Sequence, residues 1–181
     1  MEIILIYILS ISFLIQLFYY LYFFLKLSFF KHESTGFKPD VSVVICAKNE
    51  LDNLKRNLPI ILKQDYPNFE LIVVNDQSTD DSSHFLKDLS SEYSQLQVVN
   101  ISDNVKYRAG KKFALTLGIK SAKFEHLLLT DADCIPKSEN WISEMVGPLL
   151  NKDIVIGFGD YNRENSFLNR LIRFDTFLIA I

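Results

Sequence analysis

The 181-residue sequence is poor in the residues from which several common functions are built. It has two cysteines, Cys46 and Cys134, far apart in the chain. That excludes a disulfide framework, and two thiols cannot close a zinc site. Both read as reduced, cytosolic thiols, partly buried at strand ends. The three histidines, His32, His84 and His126, lack metal-ligand spacing and read as exposed or packing residues. Basic residues are not in excess. With 19 Lys and Arg against 22 Asp and Glu, the formal net charge is −3, so no nucleic-acid footprint is present. Gly110-Lys111 lacks the rest of a phosphate-binding loop, so ATP hydrolysis is not supported. No internal repeat or low-complexity tract is visible.

What the chain does have is a long apolar start. Ile3 to Leu25 is interrupted only by Ser10, Ser12 and Gln16. As a helix, about 23 residues at roughly 1.5 Å each cross the hydrocarbon core of a bilayer with some tilt. Tyr19, Tyr20 and Tyr22 lie near one end, as an interfacial belt would. Phe23 to Phe30 stays apolar around Lys26, which can snorkel. A cleaved signal peptide fits less well: the sequence begins Met1-Glu2, and no small-residue cleavage site follows. No Lys or Arg precedes the span, whereas Lys26, Lys31 and Lys38 follow it. The residues after it are therefore expected on the cytoplasmic side of a cell membrane. The expected organisation is an anchor with an interfacial extension at 1–30, a linker at 31–40 and one domain at 41–181.

Within that domain, β-branched runs alternate with helical spacing. Val41 to Ala47, Phe69 to Val74, Leu96 to Ile101, Leu127 to Leu129 and Ile154 to Phe158 read as strands. Leu51 to Lys63, a segment from Thr79 or Asp80 to Glu92, Lys111 to Ala122, Ser138 to Leu150 and Asn165 to Ile181 read as helices. Pro59 implies a kink or an early end to the first of these. The alternation predicts an α/β domain with a mainly parallel sheet and right-handed crossovers. The last apolar run, Phe177 to Ile181, has no cap, which implies a chain that continues.

Asp131 and Asp133 follow the Leu127 to Leu129 run, with Ala132 between them. On extended backbone, carboxylates at i and i+2 point to the same side. They repel each other unless a hard cation such as Mg²⁺ or Mn²⁺ joins them, and such an ion also takes phosphate oxygens. Open α/β sheets bind ligands at this carboxyl edge. An acidic turn is the alternative, since Asp is common in turns.

Four blocks then carry a resemblance. SVVICAKNE (Ser42 to Glu50), VVNDQSTDDS (Val73 to Ser82), AGKKFALTLGI (Ala109 to Ile119) and LLLTDADCIP (Leu127 to Pro136) occur in this order. Together the chain resembles the family 2 glycosyltransferases, which have the Rossmann-like GT-A fold, over roughly residues 41–158. The resemblance implies a nucleoside diphosphate sugar donor, most often a UDP-sugar, and a Mg²⁺ or Mn²⁺ cofactor. It implies inverting transfer to a lipid or glycan acceptor at a membrane. By position, Cys46, Ala47, Lys48, Glu50 and Asp76 would meet the base and ribose. Lys111 would lie near the diphosphate or ribose, Asp131 would contact ribose or metal, and Asp133 would bind the metal. Asn75 stands where the family often has a first acid, which leaves Asp76 as the base contact. Arg108 is a further candidate phosphate contact. Asp80 and Glu50 also suit plain capping and helix-start roles.

The family's general base comes from an acid well downstream. After Phe158 the acids are Asp160, Glu164 and Asp175, none in a matching context. No catalytic base is identified, and it is expected beyond Ile181. The chain reads as the donor and metal half of the enzyme, inactive by itself. Two other classes fit less well. One is a non-catalytic nucleotide-binding membrane subunit, which the unfinished C-terminus disfavours. The other is a sugar nucleotidyltransferase, which needs a Gly-rich opening that Ser42 to Glu50 lacks.

Overall fold

The computed structural model describes residues 2–29, 36–101 and 110–179. Arg108 and most of the loop before Gly110 lie outside those residues, as does His32. The chain divides into two compact units, residues 34–157 and residues 1–33 with 158–181. The first unit thus ends inside the stretch 41–181 expected as one domain.

In residues 34–157 the buried runs become β1 (Val41–Ala47), β2 (Phe69–Asn75), β3 (Leu96–Asn100) and β4 (His126–Asp131). They form one parallel sheet in the order β3-β2-β1-β4. Taking α1 as Glu2–Ser28, the connecting helices are α2 (Leu51–Leu62), α3 (Ser82–Glu92) and α4 (Lys111–Ser121). After β4 come α5 (Trp141–Val146) and a 3-10 turn, Gly147–Leu150. From β1 the chain passes to β2 on one side, yet β4 pairs on the other. The strand order therefore reverses between β1 and β4, and a crevice opens at their carboxyl ends.

Period-two alternation sorts the strands' side chains onto two faces. Val43, Ile45, Leu71 and Val73 pack with Leu54, Leu58 and Ile61 of α2, Leu86 of α3 and Ile142 of α5. Val44, Ile72 and Val74 pack with Ala114 of α4. Each such fully buried Ile, Leu or Val contributes about 1.5–3 kcal/mol relative to exposure. Among the described residues α4 is the helix that packs on this face, and it is seated close to the sheet. A Cβ on Gly118 would lie 2.5 Å from Val44 Cγ1 and 3.0 Å from Val74 Cγ2, so only glycine fits.

Buried polar groups tie the frame together. Glu70, 5% exposed on β2, accepts hydrogen bonds from Ser42 Oγ and the Lys123 N–H, both at 2.7 Å. Gln64, just after α2, donates Nε2–H to Ser138 O and accepts from the Ile142 N–H. The second tie fixes the approach to α5.

Several expectations are corrected. Ile154 to Phe158 is not a strand; among the described residues it joins no ladder, and Ile154 and Ile156 are 80% and 90% exposed. An apolar run becomes a strand only where a neighbour offers its backbone groups. α2 does not end at Pro59 but runs to Leu62, because the bond lost to Pro59 leaves only the carbonyl of exposed Lys55 without its helical donor. The segment Ser138 to Leu150 is not one helix. It splits into α5 and the 3-10 turn, with Pro148 at the turn's start.

In the other unit, α1 has an apolar stretch, Ile3–Tyr22, long enough to cross a membrane, and its described side chains are exposed. α6 (Phe167–Ile179) follows a loop that folds back on it. Arg173 donates Nε–H and Nη2–H to the two carboxylate oxygens of Asp160, at 3.0 and 2.9 Å. This pairing raises the Arg173 pKa. Phe158 meets Phe177 edge to face at 6.2 Å between ring centres.

Candidate donor and metal site

The crevice predicted by the strand order holds a cavity of about 350 Å³. β1 ends there with Cys46 and Ala47, and Lys48 and Glu50 follow it. β2 delivers Asp76, α4 delivers Gly110, Lys111 and Ala114, and β4 delivers Asp131, Ala132 and Asp133. Eight of the residues singled out in the sequence therefore line one cavity: Cys46, Ala47, Lys48, Glu50, Asp76, Lys111, Asp131 and Asp133.

Sheet register explains part of this. Cys46 pairs with Asp131 and Ala47 with Asn75, so β1, β2 and β4 end at one level. The Asp76 N–H donates to Ala47 O at 2.8 Å, which extends the pairing one residue past β2. Asn75, in the place of a first acid, donates Nδ2–H to Asn100 and accepts the Ser78 N–H. That leaves Asp76 to face the cavity. It is 5% exposed, and its Oδ1 has no hydrogen-bond partner among the described residues. A buried carboxylate oxygen without a donor is costly, and a ligand N–H would satisfy it.

The Asp pair does not sit on extended backbone as expected. β4 ends at Asp131, and Ala132 and Asp133 form a turn closed by the Cys134 N–H donating to Asp131 O at 3.2 Å. Both carboxylates reach the cavity because the chain turns there. The turn also corrects the expectation for Cys134, which is exposed and past the strand; Cys46 is half-buried at a strand end.

Lys111 Nζ lies 2.7 Å from Asp131 Oδ1, with both side chains more than half exposed. The hydrogen bond from that pairing holds the lysine above its ordinary pKa. Gly110, at φ +142°, takes a backbone conformation that suits glycine and starts α4 at the cavity wall. Burial pushes the Cys46 thiol up, opposed by Lys111, so it lines the floor as a neutral group.

Two carboxylates with hard oxygens suit Mg²⁺ or Mn²⁺. Such an ion is commonly held by one or two carboxylates plus phosphate oxygens and water. Among the described residues no group of three or more His, Cys, Asp or Glu is clustered for a metal, so the fit requires those further ligands.

A second cavity, about 340 Å³, lies beside the first and is lined by Asn49, Glu50, Leu51, Asp52, Asn53 and Asp80. Asp80 accepts N–H groups of Ser82 and Leu51, at 3.1 and 3.2 Å, and so joins the starts of α3 and α2. Its pKa is lowered, chiefly by the bond to Ser82. Asp80 thus lies outside the first cavity and ties together the starts of two helices whose N-cap residues are Glu50 and Asp81. His84 pairs with Asp88 at 3.2 Å, and the His126 ring packs on Phe37. Trp141 packs against the core.

The residue that sequence reasoning missed is Asn57. It is 1% exposed on α2 and donates Nδ2–H to Ala132 O at 2.7 Å. An Asn amid the apolar positions Leu54, Leu58 and Ile61 was the available signal.

Residues 42–179 match the family model described as "Glycosyl transferase family 2". An uncharacterized glycosyltransferase of Haemophilus influenzae is 31% identical over 123 residues, covering 68% of this chain and 36% of that one. A beta-monoglucosyldiacylglycerol synthase of a Nostoc species is 30% identical over 128 residues, covering 70% of this chain and 26% of that protein. Among solved structures, the mannosyltransferase PcManGT of Pyrobaculum calidifontis, in complex with GDP-Man and Mn²⁺, superposes with a TM-score of 0.60. It is 26% identical, with 76% of this chain and 40% of that one covered. The chain thus spans between about a quarter and two fifths of these relatives' lengths.

Proposed function

The chain belongs to glycosyl transferase family 2, and from that premise we propose that the first cavity binds a nucleoside diphosphate sugar together with Mg²⁺ or Mn²⁺. The reaction proposed is inverting transfer of the sugar to a lipid or glycan acceptor. The observation that carries this reading is the convergence on one cavity, at the strand-order reversal, of Asp131, Asp133, Lys111 and an Asp76 oxygen with no partner among the described residues.

In this reading Asp133 and Asp131 are the metal's protein ligands. When bound, the cation supplies Lewis-acid stabilisation of the charge developing on the departing diphosphate. Lys111, held by Asp131 at 2.7 Å, exchanges that partner for a diphosphate oxygen and adds a positive charge beside it. The N-terminus of α4 starts at the same wall, and a helix N-terminus favours an anion. Asp76 Oδ1 accepts an N–H of the base. Lys48 and Glu50 border the ribose side, and Cys46 and Ala47 form the floor. The resemblance favours uridine, while the PcManGT complex contains GDP-Man, so both nucleotides belong in the test. Asp160, in the other unit, is paired with Arg173 through both carboxylate oxygens, and we assign it no role as base. We assign α1 as a membrane span with residues 34–157 on the cytoplasmic side.

The test is calorimetric titration of UDP and GDP into the detergent-solubilised chain, with and without Mn²⁺. Binding of at least one nucleotide is expected to require Mn²⁺ and to be lost in D133A. Equal binding without metal, or in D133A, contradicts the reading.

A further inference from the structure

We propose that Asn57 is a positioning residue that sets the direction of the Asp133 carboxylate, an inference that rests on the metal-site reading above. α2 buries an apolar face, yet Asn57 is buried in it. A buried amide is costly unless its groups are bonded. Here the Asn57 oxygen accepts the Arg56 Nε–H at 3.1 Å, and its nitrogen donates to Ala132 O at 2.7 Å. Because the guanidinium is only a donor, it requires the amide oxygen on its own side, which turns the NH₂ toward Ala132.

Ala132 is the residue between the two carboxylates. Its carbonyl belongs to the planar peptide that joins it to Asp133. Holding that carbonyl fixes the peptide plane, and with it the direction in which Asp133 leaves the backbone. The Ala132 methyl is itself part of the core, which gives the turn a second fixed point. Asp131 needs neither device, because its position follows from pairing with Cys46 in the sheet. The two acids are thus held by different means: Asp131 by the ladder, and Asp133 by a contact reaching across 75 residues of sequence. Without that contact, repulsion between the carboxylates would favour their spreading apart. Outer-shell hydrogen bonds of this kind change metal affinity by about 10- to 100-fold.

The experiment measures Mn²⁺ affinity by EPR titration of the full solubilised chain, alongside thermal unfolding. The variants are N57L, N57A, Q64L and D133A. N57L removes the amide at similar volume, and N57A removes it without adding bulk and serves if N57L does not fold. Gln64 is the control, a buried amide near the end of the same helix, bonded to Ser138 and Ile142 rather than to the turn. The expected result is Mn²⁺ affinity lowered about tenfold in the Asn57 variants, with Q64L losing thermal stability but binding Mn²⁺ as the wild type does. Folded Asn57 variants with wild-type affinity would overturn the proposal, as would an equal loss in Q64L. Wild-type affinity in D133A would overturn the metal-site reading itself, and the proposal with it.

Discussion

The two cavities at the carboxyl end of the sheet are nearly equal in size, about 350 and 340 Å³, and both are lined by acids. They differ in how far their polar groups are already engaged. In the second, Asp80 accepts two backbone N–H groups, Asn49 accepts from the Thr79 N–H, and Glu50 accepts from Asn53. In the first, Asp76 Oδ1 lacks a donor among the described residues, and Lys111 and Asp131 hold each other through exposed side chains. Volume and acidity therefore do not distinguish a ligand site from a structural seam. Among the described residues the buried side-chain oxygens without a hydrogen-bond partner are on Glu70, Asp76, Ser82 and Ser143, and of these Asp76 lines one of the two cavities.

The comparison breaks most sharply if one wall is moved. Gly118→Val puts a side chain where Val44 and Val74 already lie and should displace α4, which carries Lys111. A loss of about 1–3 kcal/mol in unfolding free energy is expected. Nucleotide binding should weaken in step, while the Asp80 seam, which α4 does not line, keeps its bonds. Denaturant unfolding and calorimetry together check this.

A smaller effect belongs to the second cavity. Asp80→Ala removes the acceptor of the first N–H groups of α2 and α3, at about 1 kcal/mol, with Mn²⁺ affinity unchanged. The sign with pH follows from the depressed Asp80 pKa. Its stabilisation is complete above the ordinary value of 3.8 and is lost as pH falls through the lower folded value. The gap in thermal midpoint between wild type and D80A should therefore be constant above about pH 5 and narrow in acid.

The smallest effect sharpens the first cavity. Lys111→Met removes the cation that competes for Asp131. Exposed ion pairs are worth about 0.2–1 kcal/mol, so Mn²⁺ affinity without nucleotide should rise by a factor of about 1.4 to 5. Affinity for the Mn²⁺–nucleotide pair should fall, since the same lysine then no longer meets the diphosphate. A fall in both would remove the partner exchange from the account.

Much of this site was legible in the sequence because strand ends are legible. Buried apolar runs placed strand ends at Ala47, Val74 and Leu129, within two residues of the observed ends Ala47, Asn75 and Asp131, and parallel order brings such ends to one edge. Contacts that cross the chain were not legible. Asn57 meets Ala132 and Glu70 meets Lys123 through side chains whose partners no spacing rule connects. The run Ile154 to Phe158 misled for the opposite reason: its composition suits a strand, but pairing depends on a neighbour that composition does not supply. The extended backbone expected across Asp131 and Asp133 failed because the strand stops at Asp131, a boundary that local propensity places only within a few residues.

The most direct test of the central claim is an anomalous difference map from crystals of the chain grown with Mn²⁺ and UDP or GDP. The account predicts the manganese peak between the Asp131 and Asp133 carboxylates, with the base within hydrogen-bond distance of Asp76. A peak beside Asp52 and Asp80, or a base bound away from Asp76, would contradict it.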